Sequence, residues 1–223
     1  MKTAVFLQVR LDSSRLPRKA LAKLGNLPLI VRCAQSLDKV HADLRLFVTE
    51  PQSALELQPW ADFCRWGLFV GSKIDVLERF VRAAEAHAVD CIVRATGDNP
   101  LVNAVAANRL LELHRQTQAD YSAWQGAVVG TGVEILQTAA LVQALNSGAD
   151  SYEREHVAPF LYHHEDRFKL NRPPAPLEWK SQESVTVDTQ NDLAYVTQVW
   201  EAFQGFPPAD LEALASWLNS HPR

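Results

Sequence analysis

The sequence predicts an α/β fold: an open, mostly parallel sheet with helices on both faces. Three observations predict it. Short apolar runs alternate with amphipathic segments through the first half of the chain. The composition, 47% hydrophobic and 22% charged over 223 residues, suits one sizeable globular core. Three of the apolar runs end in loops that carry charged residues, and open α/β sheets hold their ligands beyond the carboxyl ends of the strands.

The elements follow in order. Ala4, Val5, Phe6 and Leu7 form a continuous apolar run, the pattern of a strand buried on both faces. Residues 29–37 place Ile30, Val31, Ala34 and Leu37 at helical spacing, and residues 44–49 read as a second buried strand, which completes a βαβ unit. Residues 53–66 read as a mixed helix and 68–70 as a short strand. Residues 75–87 are amphipathic, with Val76, Leu77, Phe80, Val81 and Ala84 on one face. A third core strand is expected at 91–94, then a helix capped by Asn103 and running to about residue 114. Beyond it the pattern changes, with strands at 121–124 and 132–136 about a glycine-rich turn and helices at 139–146 and 151–162. A last strand at 185–187 precedes helices at 191–202 and 210–218. No internal repeat or long linker interrupts this order; Pro173, Pro174 and Pro176 mark a local turn or arm.

Gln8 and Arg10 interrupt the first apolar run, so neither a signal-peptide core nor a membrane span is expected there, and the chain is expected in the cytoplasm. Cys33, Cys64 and Cys91 are odd in number and far apart, which fits free thiols better than a disulfide set or metal cluster. A net charge of -4 gives no reason to expect nucleic-acid binding.

The charge that does cluster lies in the first strand-end loop, where Arg10, Arg15, Arg18 and Lys19 flank Ser13 and Ser14. Such a concentration suggests a phosphate chain, against the plain alternative of a solvated turn. The second loop, 96–101, carries Asp98 just after a strand and a glycine; Asp98 could instead cap the turn begun by Pro100. The third carries Asp188 directly before Thr189, which with Asp192 resembles a capping box. Two carboxylates at strand ends opposite a phosphate loop are a plausible Mg²⁺ site, because magnesium takes one or two carboxylates together with phosphate oxygens and water.

The run from Gln8 to Lys19, Q-V-R-L-D-S-S-R-L-P-R-K, resembles the opening motif of the CMP-sugar synthetases. The closest resemblance is to the branch named for spore-coat polysaccharide biosynthesis protein F, related to the CMP-KDO and acylneuraminate cytidylyltransferases. Further matches follow in order: Gly71-Ser72 with Asp75-Val76-Leu77 and Arg79, then 96–101, Gly132-Val133-Glu134, Arg154-Glu155-His156-Val157, and 186–193. The resemblance implies a single cytidylyltransferase-like domain over 1–223, of the three-layer α/β/α nucleotide-diphospho-sugar transferase-like fold. It further implies a dimerisation or sugar-binding arm within about 121–180, and a homodimer. It implies that the hydroxyl of a sugar acid attacks the α-phosphate of CTP with Mg²⁺, releasing pyrophosphate.

By the same resemblance Arg10, Ser13, Arg15 and Lys19 hold the triphosphate, Ser72, Asp75 and Asp98 approach the nucleotide, and Asp98 and Asp188 hold the metal. Glu134, Arg154 and His156 face the sugar, Arg154 as a partner for its carboxylate. Asp75 can equally serve as a first-turn acid of the following helix, and His156 can simply pack. Three residues depart from the family pattern: Asp12 and Arg18 stand where Gly is common, and Val9 replaces Ala. These departures keep open an inactive nucleotide-binding homologue, or an enzyme using another nucleotide or a sugar phosphate.

Overall fold

The computed structural model describes residues 1–204 and 210–223. Strand β1 (Thr3–Gln8) lies near the middle of a seven-stranded sheet. The short hairpin β2 (Lys23–Leu24) and β3 (Leu27–Pro28) stands apart from it. The other sheet strands are β4 (Leu44–Thr49), β5 (Gly67–Val70), β6 (Cys91–Thr96), β7 (Tyr121–Ser122), β8 (Glu134–Gln137) and β9 (Leu170–Asn171), in the order β5-β4-β1-β6-β8-β7-β9. The pairs β1/β4, β1/β6, β4/β5 and β7/β9 are parallel, whereas β6/β8 and β7/β8 are antiparallel.

The sheet is buried on both faces, which is why its strands read as unbroken apolar runs. Val5 and Leu7 point into a core with residues of α1 (Leu29–Leu37), α2 (Pro51–Cys64), α4 (Ala104–Thr117), α8 (Gln190–Ala202) and α9 (Leu211–Ser220). Ala4 and Phe6 point the other way, against α3 (Val76–Ala86), α5 (Thr138–Asn146) and α7 (Pro159–His163). Helix α6 (Ser151–His156) precedes α7. The three-layer α/β/α arrangement therefore matches the expectation. From β1 the chain crosses to β4 and then β5 on one side, and later to β6 on the other. The loops leaving β1 and β6 diverge at this reversal, where a crevice is expected.

Several expected elements differ in detail. The 53–66 helix begins at Pro51, because the Glu50 side chain accepts from the Gln52 amide at 2.6 Å and caps it. The 151–162 helix is two helices. Val157 adopts φ 73° and ψ -59°, and the Ala158 amide bonds back to the His156 carbonyl at 2.9 Å; Pro159 then opens α7. Residues 185–187 form no strand. Val185 donates to the Val129 carbonyl and Val187 to that of Asp98, so this extended, buried segment is clamped between two irregular loops and has no regular strand to ladder with. Gly130, at φ 94°, permits that approach, since a Cβ there would lie 2.7 Å from the Thr186 nitrogen. β9 carries no pattern of its own in the sequence, being two residues long. Cys33 and Cys91 are buried and Cys64 half-buried, all three as free thiols. Burial pushes the Cys64 thiol up to about 11 and that of Cys91 to about 12, so neither presents a thiolate near neutrality.

Candidate active site

Three loops converge beyond the carboxyl ends of β1 and β6. The first is closed on itself: Leu11 donates its amide to the Ser53 hydroxyl at 2.9 Å, and the Arg18 amide returns to the Leu11 carbonyl at 3.3 Å. Leu11 and Ala20 anchor it in the core, leaving the polar residues between them to face outward. The second requires Gly97, whose added Cβ would meet Ile30 and Val9 side chains at 3.1 and 3.2 Å. Its amide bonds to the Gln8 carbonyl at 2.8 Å, fastening the second loop to the end of β1. The third is fixed to the second by the Val187 amide on the Asp98 carbonyl at 2.9 Å and by Thr186 Oγ1 on Asn99 Oδ1 at 2.8 Å.

At the convergence the Lys19 ammonium donates to Asp98 Oδ2 at 2.9 Å, Asp188 Oδ1 at 2.8 Å and the Val187 carbonyl at 3.1 Å. Arg15 reaches the same Asp188 oxygen at 2.9 Å. Thr96 donates to the other Asp98 oxygen at 2.6 Å, fixing the plane of that carboxylate. Burial alone would lower the pKa of Lys19, but the charge of Asp98 and the hydrogen bonds to both aspartates outweigh it and raise the pKa, so the ammonium stays protonated. The Asp188 side chain is free of the cap proposed for its neighbours: Thr189 and Asp192 form the capping box of α8, and Asp188 adds only its backbone amide, donated to Asp192 Oδ2 at 3.1 Å.

These residues line a cavity of about 350 Å³, together with Arg10, Asp12, Ser13, Ser14, Arg79, Gly97, Glu155 and His156. Its charged lining is balanced: Arg10, Arg15, Lys19 and Arg79 face Asp12, Asp98, Glu155 and Asp188. The loop is basic, but the cavity it joins is not. A triphosphate entering it must therefore bring a counter-cation or displace one of the existing pairs. The donor set suits a hard divalent ion, with two half-buried carboxylates held within reach of one ammonium and oxygen as the only ligand atom. The Lys19 ammonium bridges the two carboxylates.

The expected residues divide into two groups. Arg10, Ser13, Arg15, Lys19, Asp98, Asp188 and His156 share the cavity, the ring of His156 resting on Tyr152 with centroids 4.4 Å apart. Ser72, Asp75, Glu134 and Arg154 are not brought into it. Ser72 accepts from the Asp75 amide at 3.1 Å, and Asp75 caps α3 by accepting from the Glu78 amide at 2.9 Å. Asp75 also pairs with Arg154, which donates to the Ala149 and Leu145 carbonyls as well, so that α3 and α6 are joined. Glu134 pairs with Arg94 and accepts from the Tyr121 hydroxyl at 2.9 Å. It lines a second cavity of about 420 Å³ with Arg94, Thr96, Asn99, Trp124 and the glycine-rich 126–133 turn. Thr96 belongs to both cavities. Arg18 turns outward to Glu56, away from the site.

Arg79 was assigned no role from the sequence. It is 2% exposed, donates to the Ser72 carbonyl at 2.8 Å and the Lys73 carbonyl at 3.3 Å, and among the described residues pairs with no carboxylate within ion-pair distance. Burial lowers its pKa, yet a guanidinium remains charged, so a buried cation faces the cavity. The available signal was its position on the apolar stripe of α3, between Val76 and Ala83.

Comparison with known proteins identifies the family. The family model described as Cytidylyltransferase matches residues 4–214. Spore coat polysaccharide biosynthesis protein SpsF of Bacillus subtilis is 27% identical, over 97% of this chain and 94% of its own length. A 3-deoxy-manno-octulosonate cytidylyltransferase of Chlorobium luteolum is 31% identical over 46% of this chain and 41% of its own. Among solved structures, that of a cytidylyltransferase from Leptospira borgpetersenii superposes with a TM-score of 0.87 at 24% identity, covering 100% of this chain and 95% of that one. The chain belongs to the cytidylyltransferase family, as a nucleotidyltransferase of the CMP-sugar synthetase type.

Proposed function

We propose that this protein transfers CMP from CTP to the hydroxyl of a sugar acid of the ulosonic or nonulosonic type, releasing pyrophosphate, in the synthesis of a surface polysaccharide. The observation that carries this reading is the Lys19 ammonium clasped between Asp98 and Asp188 in a cavity that also holds Arg10, Arg15 and Arg79. Family membership supports the nucleotide and the class of transfer. The 3-deoxy-manno-octulosonate cytidylyltransferase relative supports the sugar-acid acceptor.

In this reading Arg10, Arg15, Ser13 and Lys19 hold the triphosphate, the arginines as forks and Lys19 as a point charge. Arg79 supplies a further cation that needs no reorganisation. Asp98 and Asp188 would hold Mg²⁺, which supplies charge neutralisation of the phosphates and acidifies a coordinated oxygen. Lys19, released from one or both carboxylates, would turn its ammonium to a phosphate oxygen. The acceptor would sit in the second cavity, reaching the α-phosphate past Thr96, with Trp124 as an apolar wall and Glu134 and Arg94 as polar contacts. His156 would approach it from the first cavity, with Arg154 setting the position of α6. The work is mostly positioning and electrostatics.

The 121–180 segment, with Val129 and Leu177 exposed, is proposed as a dimerisation arm. Among the described residues no helix is long and apolar enough to cross a membrane, which accords with a cytoplasmic enzyme. Pyrophosphate release from CTP, measured with a panel of sugar acids and neutral sugar phosphates, tests the function. Turnover confined to one or a few sugar acids is expected. CTP binding without release for any acceptor would favour the inactive homologue instead.

A further inference from the structure

Asp12 is a carboxylate in the lining of the cavity to which the triphosphate is assigned above. Both of its oxygens are occupied, each from a different side: Arg10 Nε lies 3.4 Å from Oδ1, and Lys73 Nζ lies 2.9 Å from Oδ2. Arg10 continues toward Glu155 at 3.9 Å. An alternating row, Lys73–Asp12–Arg10–Glu155, thus crosses the mouth of the cavity and connects the β5–α3 loop, the β1 loop and α6. The hydrogen bond from Lys73 is the largest influence holding the Asp12 carboxyl below its usual range; desolvation opposes it, and the charges of Arg10 and Lys73 add to it.

The pair does little for the fold, because both side chains are two-fifths or more exposed and such pairs are screened by water. Its consequence lies in the charge of the site. With four cations and four anions in the lining, Asp12 and Glu155 are the carboxylates that oppose a triphosphate without serving a metal or a helix cap, and Asp12 is the one that lies within the basic loop itself. Lys73 stands just outside the lining and offsets it. The residue is tied to the site a second way, since its carbonyl accepts from Arg79 at 3.3 Å. That backbone contact survives any change of side chain, so the two roles can be separated.

We propose that Lys73 is a positioning residue for nucleotide binding: by pairing with Asp12 across the mouth of the cavity it masks a carboxylate that would otherwise repel the phosphate chain. The masking rests on the proposed nucleotide function and deepens it. In a lysine-free mouth the Asp12 field acts directly on the incoming anion. With Asp12 neutralised, the lysine has nothing to mask.

The test is a calorimetric titration of CTP with Mg²⁺, and separately of inorganic pyrophosphate with Mg²⁺, into the full chain and the variants K73Q, D12N and K73Q/D12N. Melting temperatures near that of the parent protein are expected for all three. K73Q should raise Kd for both ligands by roughly three- to tenfold at low ionic strength, and less at high salt. D12N should bind at least as tightly as the parent, and adding K73Q to D12N should change nothing further. Unchanged binding by K73Q overturns the proposal. An equal loss in both backgrounds also overturns it, because Lys73 would then act on the phosphate by its own charge and not through Asp12. A parent protein that binds pyrophosphate but not CTP contradicts the cytidine reading while leaving the masking intact, and one that binds neither contradicts both.

Discussion

The two halves of the sheet spend their charged residues differently. Around β1 and β6 the parallel strands send Lys19, Arg15, Asp98 and Asp188 into one cavity, where each cation is paired yet remains at the edge of open space. From the β8 side of β6 onward the later strands are short and partly antiparallel, and most polar groups engage one another inside the structure, with the buried His114 Nε2 left over among the described residues. Arg94 is engaged by Glu134 and Gln8, Arg154 by Asp75 and two carbonyls, and the buried His114 by Ser122 at 2.8 Å. Charged motif residues therefore divide by engagement: Arg15, Lys19, Asp98 and Asp188 stand at the cavity, whereas Asp75, Arg94, Glu134 and Arg154 hold strands and helices together.

That contrast breaks most decisively at the paired aspartates. Asp98→Asn or Asp188→Asn should reduce turnover in the pyrophosphate-release assay by about a hundredfold or more, the scale of losing one charged group that acts on the transferring phosphoryl. Unchanged turnover in both would remove the metal assignment.

The second half should respond in stability instead. His114 is wholly buried, and desolvation lowers its pKa to about 4. Between pH 6.5 and 4 the unfolded chain binds a proton at this position that the native chain does not, so stability falls as pH drops through that window. The loss by pH 4 should reach about 2–3 kcal/mol in urea unfolding, and His114→Asn should remove this part of the slope. Arg154→Ala should cost about 2 kcal/mol by the same measurement, with KM for the acceptor following only as α6 shifts. An Arg154 variant of parental stability but raised KM would instead place this residue on the substrate. At the small end, Arg18→Ala should leave both melting and CTP binding unchanged, since its partner Glu56 is exposed and outside the cavity.

Much of the first half was legible because its physics is local. Continuous apolar strands, the Asn103 cap and the Thr189 capping box each leave a signal a few residues long, and all three are present. The clustering of Arg10, Arg15 and Lys19 likewise announced a site. What could not be read was long-range. Nothing near Asp75 in sequence says that it meets Arg154, 79 positions away. Nothing near residues 185–187 says that both neighbouring segments are loops, which leaves an apolar run without a strand to pair with. The break at Val157 depends on a positive φ that its β-branched side chain disfavours, and only the Pro159 that follows hinted at it. The balance of charge in the cavity was hidden for the same reason. Asp98 and Asp188 were expected opposite the basic loop, and only the fold brings Glu155 and Arg79 to complete the balance.

The balance itself gives the most direct measurement: calorimetric titration of CTP into the full chain with and without Mg²⁺, followed by ATP, GTP and UTP with Mg²⁺. A cavity with four cations already facing four anions should bind CTP weakly alone and at least about tenfold more tightly with the metal, with CTP ahead of the other three nucleotides. Equal CTP affinity with and without metal, or equal affinity for all four nucleotides, would contradict a metal-assisted cytidylyltransferase site at the ends of β1 and β6.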